Sequence, residues 1–272
     1  MKFQSALITG ATSGIGEALA RLLAAQGISL ILTGRNEQKL NALRQELSQQ
    51  APITTIAVDL EQADQAAQLK TVILERVPDL LINNAGFGLY GELTRYDEAE
   101  QLKIIDVNIR ALTELAIAAG KALYNAKQKG VIMNISSAAA FIPFPYFAIY
   151  AASKAYVNHF TVAYDEELKP HGIRVLAACP GQVHTHFRNR ASKGSQASKD
   201  ETMVMEAEFA AREIWHQIQK LQTIRIFDWK YRAAIALARL LPRALLSPIL
   251  KQSVAEFAHP SHKEAMKKEQ KQ

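Results

Sequence analysis

The chain has 272 residues, of which 49% are hydrophobic and 21% are charged, so it can bury a sizeable core as one large domain. A single cysteine, Cys179, excludes an internal disulfide, and no spacing of Cys and His residues suits a zinc site. The net charge is +6, but much of the excess lies between Lys230 and Lys271, which makes nucleic-acid binding by the whole domain the weaker interpretation.

The first residues lack the long apolar segment of a signal peptide. No window reaches the roughly 18 uninterrupted apolar residues that a membrane-spanning helix needs. We therefore expect a cytoplasmic protein, and the single cysteine fits a reducing compartment.

A glycine-rich turn follows the first predicted strand, residues 3–9, and precedes a helix-forming run that starts at Glu17. Glycines let the backbone approach a pyrophosphate, and the free N–H groups at a helix start face its charge. The spacing is G-x-x-x-G-x-G, which indicates a nucleotide site, although an ordinary strand-to-helix turn could share it. The predicted cofactor-binding residues of the turn are Gly10, Thr12, Ser13, Gly14, Ile15 and Gly16.

The end of the second predicted strand, residues 28–33, indicates which nicotinamide cofactor is used. An acid at this point binds the ribose 2′-hydroxyl of NAD, but the segment here contains Arg35 and no acid. A guanidinium suits a 2′-phosphate, so the predicted cofactor is NADP (NADPH), with NAD less favoured. A solvent-facing arginine is the alternative, and the missing acid carries more weight than Arg35 itself. Asn36 is predicted to cap the next helix.

Polar and small residues follow the third and fourth predicted strands. Strand 53–58 ends at Asp59 and Leu60, where the carboxylate can accept a hydrogen bond from an adenine amino group or simply cap a helix over 62–76. Strand 79–82 runs into Asn83, Asn84, Ala85 and Gly86. The small residues would let a cofactor lie against the sheet edge, and the asparagines could tie neighbouring strands together.

One long helix is predicted over 97–127, and Asn108 lies in its middle. A buried asparagine is locally unfavourable there, and such a violation often marks a functional site or a kink. The alternative is an asparagine on the solvent face.

Tyr150 and Lys154 lie one helical turn apart after strand 131–135 and the paired serines Ser136 and Ser137. A neighbouring ammonium favours phenolate, so we expect it to lower the pKa of Tyr150. A tyrosine tuned in this way can give a proton to a carbonyl oxygen or take one from an alcohol.

The repeated order of strand, turn and helix predicts an α/β fold: a doubly wound parallel sheet with helices on both faces, in one domain over 1–272. Ligands bind such sheets at the carboxyl ends of the strands. The candidate residues share that edge, because each of these follows a predicted strand: the glycine turn, Asp59, Asn84–Gly86, Ser137 and Pro180-Gly181.

Over residues 3–227 the sequence resembles the short-chain dehydrogenase/reductase family. The resemblance implies a Rossmann-like three-layer fold and a nicotinamide-dependent enzyme that interconverts a carbonyl and a secondary alcohol, with NADP favoured by Arg35 as above. It is carried by Thr9-Gly10-x-x-x-Gly14-Ile15-Gly16, Asp59, Asn83-Asn84-Ala85-Gly86, Asn108, Ser137, Tyr150-x-x-x-Lys154 and Pro180-Gly181.

The resemblance implies a role for each catalytic candidate. Tyr150 would be the general acid in reduction and the base in oxidation. Lys154 would lower the pKa of Tyr150 and bind the nicotinamide ribose, and Ser137, 13 positions before Tyr150, would donate to the substrate oxygen. Asn108 would hold a water that links Lys154 to solvent.

The same resemblance implies that Val183 and Thr185, after Pro180 and Gly181, contact the nicotinamide amide. It also implies a homodimer or homotetramer formed through the helices over 97–127 and 149–169.

Aromatic residues near Tyr150 predict an apolar pocket for a small carbonyl or alcohol substrate. They include Phe87, Tyr90 and several in the stretch 138–147, although each alone could be a core or interface residue. The region 186–221 is interpreted as the substrate-loop region, and its polar part, 186–203, resembles the family's substrate loop. His184 and His186 are interpreted as loop residues, so no metal site is predicted.

The C-terminal extension, 228–272, is predicted to begin with two short basic helices, 231–241 and 244–251, separated at Pro242. They could cover the substrate cleft or pack against another subunit, which is the favoured interpretation. Peripheral contact with an anionic membrane surface comes second.

Two other functions stay open at this point. One is a catalytically idle, nucleotide-binding regulatory protein, against which the complete set Asn108, Ser137, Tyr150 and Lys154 argues. The other is a membrane-surface enzyme that reduces a lipid or acyl chain.

Overall fold

A computed structural model describes residues 1–192 and 204–255, so residues 193–203 of the predicted substrate-loop region and residues 256–272 of the extension lie outside the described residues. Seven parallel strands form one sheet in the order β3-β2-β1-β4-β5-β6-β7, which confirms the predicted doubly wound sheet. The strands are β1 (Ser5–Ile8), β2 (Ser29–Gly34), β3 (Ile53–Ala57), β4 (Leu80–Asn83), β5 (Gly130–Ile135), β6 (Ile173–Cys179) and β7 (Ile224–Ile226).

Helices pack on both faces of this sheet. The described helices are α1 (Gly14–Ala24), α2 (Glu37–Leu47), α3 (Ala63–Arg76), α4 (Glu98–Ile105), α5 (Leu112–Asn125), α6 (Ala148–Leu168), α7 (His186–Ala191), α8 (Ala207–Lys220), α9 (Trp229–Leu240) and α10 (Arg243–Ala255). Strand residues alternate between two apolar cores: Ile8 belongs to the core under α1, α2 and α8, and Leu7 to the core under α3 and α5. Because both faces are covered, the strands are apolar runs rather than alternating patterns.

The helix predicted over 97–127 is continuous but not regular. A π-helical segment, Asp106–Ala111, joins α4 to α5 and contains Asn108. The Asn108 side chain is completely buried, so the solvent-face alternative is wrong. Single π-helical turns are frequent at functional sites, in agreement with the expected irregularity.

Helix α8 lies inside the predicted substrate-loop region, 186–221, yet belongs to the core. Its side chains Ala211, Ile214 and Ile218 are buried at helical spacing in the same apolar cluster as α1. The predicted region is therefore too wide at its C-terminal end, because an amphipathic helix begins at Ala207. The part before it contains α7.

The extension begins with the two predicted helices, since α9 and α10 are separated at Leu241 and Pro242. Asp228 caps α9 by accepting a hydrogen bond from the Lys230 N–H, and Ile235 anchors one face of α9 in the protein. Among the described residues, no helix combines the length and the apolar character required to cross a membrane.

A buried ion pair secures the start of β6. The Asp165 carboxylate, fully buried in α6, accepts two hydrogen bonds of 2.8 Å from Arg174 and one from the Thr223 hydroxyl. It also accepts the Val175 N–H. Burial by itself would raise the pKa of Asp165, but these hydrogen bonds outweigh it and lower that pKa.

Candidate active site

A cavity of about 1330 Å³ opens at the carboxyl ends of the strands. Single small-molecule sites commonly measure about 300–1,000 Å³, so this cavity has room for a large cofactor together with a substrate. Of the residues predicted from sequence to form the site, all except Gly16 and Asn108 line it. The topology thus brings together residues from Gly10 to Thr185.

The glycine turn is held against the end of β4. The Asn84 side chain donates to the carbonyl oxygens of Thr9 and Gly10, at 2.9 and 3.1 Å. A side chain at Gly16 would collide with Gly10, because its Cβ would lie 2.4 Å from the Gly10 carbonyl oxygen. Gly16 therefore lies behind the turn and allows the close packing that keeps the cavity floor open.

Gly14 faces the segment that follows β6. Its φ is +56°, and an added Cβ would lie 2.6 Å from the Thr185 methyl carbon. The predicted cofactor-contacting segment thus crosses directly over the predicted phosphate-binding turn. Tyr231 of α9 supports this segment, since its hydroxyl accepts the Gln182 N–H at 2.8 Å and its ring fills the space beside Gly181.

The asparagines at the strand ends tie elements together as predicted. Asn83 donates to Asn134 across β4 and β5 at 3.0 Å. Asn108 accepts the Phe87 N–H at 3.1 Å and donates to the Phe87 carbonyl oxygen and to Ser153 Oγ. Both amide hydrogens and the oxygen of this side chain thus have protein partners, so it joins the π-helical segment to the loop after β4 and to α6.

The two serines after β5 have different surroundings. Ser136 is buried, and its hydroxyl donates to the Lys154 carbonyl oxygen at 3.1 Å. Ser137 lies in extended backbone before a 3₁₀ turn, its Oγ accepts the Ala139 N–H, and it interacts with Tyr150. This arrangement supports the choice of Ser137 as the substrate-facing serine.

The expected lowering of the Tyr150 pKa is not what the structure indicates. Burial raises the pKa of Tyr150, and the hydrogen bond with Ser137 acts against this increase without cancelling it. Burial also lowers the pKa of Lys154 to about 8. The Lys154 ammonium donates to the Ile135 carbonyl oxygen at 2.8 Å and lies 5.7 Å from the Tyr150 ring centre. Removal from water, which sequence spacing does not report, therefore dominates both groups.

Aromatic rings surround Tyr150. Phe147 stacks between Tyr150 and Tyr90, with centroid distances of 4.3 and 4.2 Å, and Phe187 of α7 lies 5.3 Å from Tyr150. The predicted apolar lining includes Phe87, Tyr90, Phe144 and Phe147. Phe141 does not line this cavity but lies beneath the Arg239 guanidinium.

Charged residues gather at the opposite end of the cavity. Arg35 Nη1 lies 3.1 Å from Glu61 Oε1 and 4.0 Å from Asp59 Oδ2. Arg190 Nη2 also lies 3.1 Å from Glu61 Oε1, and Lys103 is 3.7 Å from Oε2. Asp59 is not the helix cap, because Gln62 holds that position before α3. Arg35, in the bend after β2, is thus exposed over about half of its side chain and paired with Glu61.

Sequence reasoning assigned no site role to several residues that line this cavity, among them Glu61, Phe187, Arg190 and Tyr231, although Phe187 and Arg190 fall within the predicted substrate-loop region. An acid two positions after Asp59 was a usable signal for Glu61, whereas the others reach the cavity from distant helices. His184 is exposed, and the His186 side chain is not described. Within the described ranges, no group of three or more His, Cys, Asp or Glu side chains is placed to hold a metal.

The site fits a dinucleotide. At Gly86, an added Cβ would lie 3.0 Å from Asn108 Oδ1 and 3.2 Å from Lys154 Nζ, so the missing side chain leaves the Lys154 ammonium within reach of the cavity. The glycine turn offers free N–H groups at the start of α1, and Arg35 lies at the end of β2.

Comparisons with known proteins agree with this geometry. A family model described as short chain dehydrogenase matches residues 4–196. Sulfoacetaldehyde reductase 2 of Chromohalobacter salexigens is 36% identical over 221 residues, which cover 77% of this chain and 86% of that protein. A short-chain dehydrogenase of Sphingobium yanoikuyae in complex with NADPH is 28% identical, with a TM-score of 0.77 over 89% of this chain and 97% of that one. A bulky-bulky ketone specific alcohol dehydrogenase of Comamonas testosteroni is 26% identical, with a TM-score of 0.74 over 88% and 93%.

Proposed function

Because the chain belongs to the short-chain dehydrogenase/reductase family of oxidoreductases, we propose that it uses NADP(H) to interconvert a carbonyl and a secondary alcohol on an apolar substrate. One observation carries the proposal: Tyr150 lines the same cavity as the glycine turn, with Ser137 and Lys154 beside it. A proton donor and a dinucleotide cradle in one cavity are what carbonyl reduction requires.

The proposed roles follow from the surroundings of each group. A bound nicotinamide cofactor supplies or accepts the hydride. In reduction, Tyr150 gives its hydroxyl proton to the carbonyl oxygen, and Ser137 Oγ donates a hydrogen bond to that oxygen as charge develops. The raised pKa of Tyr150 keeps the phenol protonated, which favours the acid role. Lys154, while charged, stabilises the phenolate left behind and binds ribose hydroxyls.

NADP is the proposed cofactor. Arg35 at the end of β2 supplies a guanidinium where NAD-specific proteins place an acid, and the Sphingobium yanoikuyae relative is in complex with NADPH. The Glu61 carboxylate pairs with the Arg35 guanidinium. We therefore propose that a 2′-phosphate competes with this carboxylate for the guanidinium.

The proposed substrate is apolar, although the names of the relatives point in two directions. One names sulfoacetaldehyde and another a bulky-bulky ketone. Near Tyr150 the lining is aromatic, with Tyr90, Phe147 and Phe187. A sulfonate would need a nearby cation; among the described lining residues Lys154 lies beside Tyr150, and Arg190 lies 4.1 Å from the Phe87 ring centre. The aromatic lining favours the bulky ketone.

We propose that the chain assembles through α4, α5 and α6. These helices expose large apolar side chains, including Leu102, Tyr124, Tyr156 and Val162, which a subunit contact would cover. Sedimentation velocity of Tyr156→Glu and of the wild type tests this assembly. We expect a smaller assembly for the variant, and an assembly of unchanged size would contradict the proposal.

We also propose a cytoplasmic location.

The test of the proposed function is a panel of ketones, aldehydes and secondary alcohols assayed with NADPH and NADH. The panel should include sulfoacetaldehyde, small ketones and ketones with two large apolar substituents. We expect NADPH-dependent reduction to be fastest for the last group. Cofactor binding without turnover of any compound would instead support the idle regulatory protein.

A further inference from the structure

Helices α9 and α10 carry an apolar surface that the rest of the protein does not cover. In the described part of the chain, the five most exposed large apolar side chains all belong to these two helices: Trp229, Leu237, Leu240, Leu245 and Ile249. Leu240 is 82% exposed and Ile249, the least exposed of them, 58%, whereas the next, Tyr124, is 52% exposed. Apolar exposure of this kind marks an interaction site.

The exposed residues of α9 form one stripe. With 3.6 residues per turn, Trp229, Ala233, Leu237 and Leu240 lie within an arc of about 100°. Ile235, which is buried, points to the opposite side and holds the helix to the protein. In α10, Leu245 and Ile249 are one turn apart. The stripe on α9 is therefore a second apolar face of an already anchored helix.

Charge separates this surface from an ordinary subunit contact. Residues 229–255 contain five basic residues and no acidic one, and thus account for five of the six excess positive charges of the chain. Arg232 borders the apolar stripe on α9 and is exposed. An apolar face bordered by arginine and lysine, with a tryptophan on it, is the pattern of a helix that lies in the headgroup region of an anionic bilayer.

The same surface surrounds one opening of the cavity. Leu237 and Ile249 are both exposed and part of the cavity lining, so they lie at its rim. Leu241 and Leu246 continue the apolar lining inwards. A molecule that reached this rim from a hydrocarbon phase would not have to cross water.

We propose that α9 and α10 dock on the surface of an anionic phospholipid bilayer, and that the apolar substrate enters the cavity from that bilayer. The entry of substrate rests on the proposed function; the docking does not. The helices lie on the membrane without spanning it, with the stripe among the acyl chains and the exposed Arg232 near lipid phosphates.

A second copy of the chain is a poorer occupant for this surface. A two-fold contact places the same patch against itself, which would bring two sets of basic residues together without an acid to neutralise them. A nucleic acid would meet the positive charge but would leave the leucine and tryptophan side chains without a partner.

Vesicle flotation tests the proposal with the full-length protein. Vesicles of phosphatidylcholine alone are compared with vesicles of phosphatidylcholine and phosphatidylglycerol. We expect the wild type to float with the anionic vesicles and binding to weaken at high salt. Leu240→Glu should lower the partition coefficient about tenfold or more, because it places a charge in the acyl region, and Arg232→Glu should lower it on anionic vesicles.

Matched controls separate this surface from general effects. Leu74→Glu on α3 and Lys121→Glu on α5 change exposed residues elsewhere and should bind like the wild type. Leu240 does not line the cavity, so Leu240→Glu should reduce a water-soluble ketone at the wild-type rate.

Three results would overturn the proposal. The first is that the wild type does not float with either kind of vesicle. The second is that Leu240→Glu floats as well as the wild type. The third is that the wild type binds neither kind of vesicle but self-associates, and that Leu240→Glu abolishes this self-association. The last would assign the surface to a contact between copies of the chain. If the soluble ketone is not turned over but flotation occurs as expected, the proposed function fails and the docking stands.

Discussion

Arg35 and Glu61 form an ion pair of 3.1 Å at the end of the cavity opposite Tyr150. Arg190 of α7 meets the same carboxylate oxygen at the same distance. The guanidinium proposed to bind a 2′-phosphate is thus already paired with an acid, and the acid links the glycine-turn end of the cavity to α7. We therefore expect cofactor preference to depend on two residues of opposite charge.

Removing the acid should strengthen NADP(H) binding. Glu61→Gln keeps the shape of the side chain but removes a negative charge beside the proposed phosphate, so we expect the dissociation constant for NADPH to fall about three- to tenfold. Fluorescence titration with NADPH and NADH measures both constants. NADH affinity should change less, and an equal change for both cofactors would contradict the assignment.

Reversing the arginine should act in the opposite direction. Arg35→Asp removes the phosphate partner and adds a repulsive charge, so the preference should move from NADPH towards NADH by about a hundredfold. Arg44→Asp on α2, an exposed site, is the matched control. Steady-state kinetics with both cofactors give the ratio of kcat/KM values, and an unchanged ratio would remove Arg35 from the cofactor site.

The glycine turn offers a second matched pair. Gly14 and Gly27 both have positive φ, but an added Cβ meets Thr185 only at Gly14 and nothing within 4 Å at Gly27. Both alanine variants should lose stability, because left-handed backbone is unfavourable for alanine, and Gly14→Ala should lose more because its Cβ also meets Thr185. Gly14→Ala alone should raise the dissociation constant of NADPH, by about tenfold or more. Equal NADPH binding by the two variants would show that the turn does not hold the cofactor.

Lys154 should limit activity at alkaline pH. Its pKa in the fold is about 8, below its ordinary value, so its charge is present below that pH and lost as the pH rises through it. Because the pKa of Tyr150 is raised, the phenol stays protonated across this range. We expect kcat/KM for reduction to be level below about pH 8 and to fall above it.

A flat pH profile to well above this range would contradict the role of Lys154. Lys154→Arg, which keeps a charge at all these pH values, should lack the alkaline decrease even where its activity is lower. The profile is measured with a soluble ketone and saturating NADPH.

Stability in acid should depend on Asp165. Its pKa is lowered in the fold, so its contribution is present above the unfolded pKa of about 3.9 and is lost as the pH falls through the folded value. Asp165→Asn should lower the free energy of unfolding at pH 7 by about 3 kcal/mol, because Arg174 is left without its buried partner. Urea unfolding should show this difference shrinking below about pH 4.

An exposed ion pair gives the comparison. Glu166 and Lys169 are 3.9 Å apart and largely exposed, so Glu166→Gln should change stability by about 0.5 kcal/mol or less. A loss for Asp165→Asn as small as this would mean that the buried pair does not secure β6.

Much of the fold was predictable because its signals are local. Apolar runs between turns predicted where the strands lie along the chain. Asn36 caps α2 as expected, by accepting the Lys39 N–H. Tyr150 and Lys154 share a face of α6 because they are one turn apart. The glycine turn was recognisable as a turn between β1 and α1 for the same reason, because its residues are neighbours in sequence.

The remaining features depend on tertiary structure. Arg190 and Glu61 are 129 positions apart, and no pattern in either segment indicates that they meet. The pKa values of Tyr150 and Lys154 follow from burial, which pairwise spacing does not contain. The π-helical segment at Asn108 arises where the side chain must reach Phe87 and Ser153 together, and helix periodicity alone predicts a regular helix there.

The Tyr150 hydroxyl is the proposed proton donor, in a cavity proposed to bind the cofactor. Tyr150→Phe removes this oxygen alone, and Tyr124→Phe, on the exposed side of α5, is its control. With NADPH and the best ketone, Tyr150→Phe should lose about 10²–10⁴-fold in kcat while its NADPH dissociation constant by fluorescence titration stays within about twofold, since the glycine turn and Lys154, which are proposed to hold the cofactor, are unchanged. A Tyr150→Phe enzyme that retains the kcat of the wild type would exclude this hydroxyl as the proton donor.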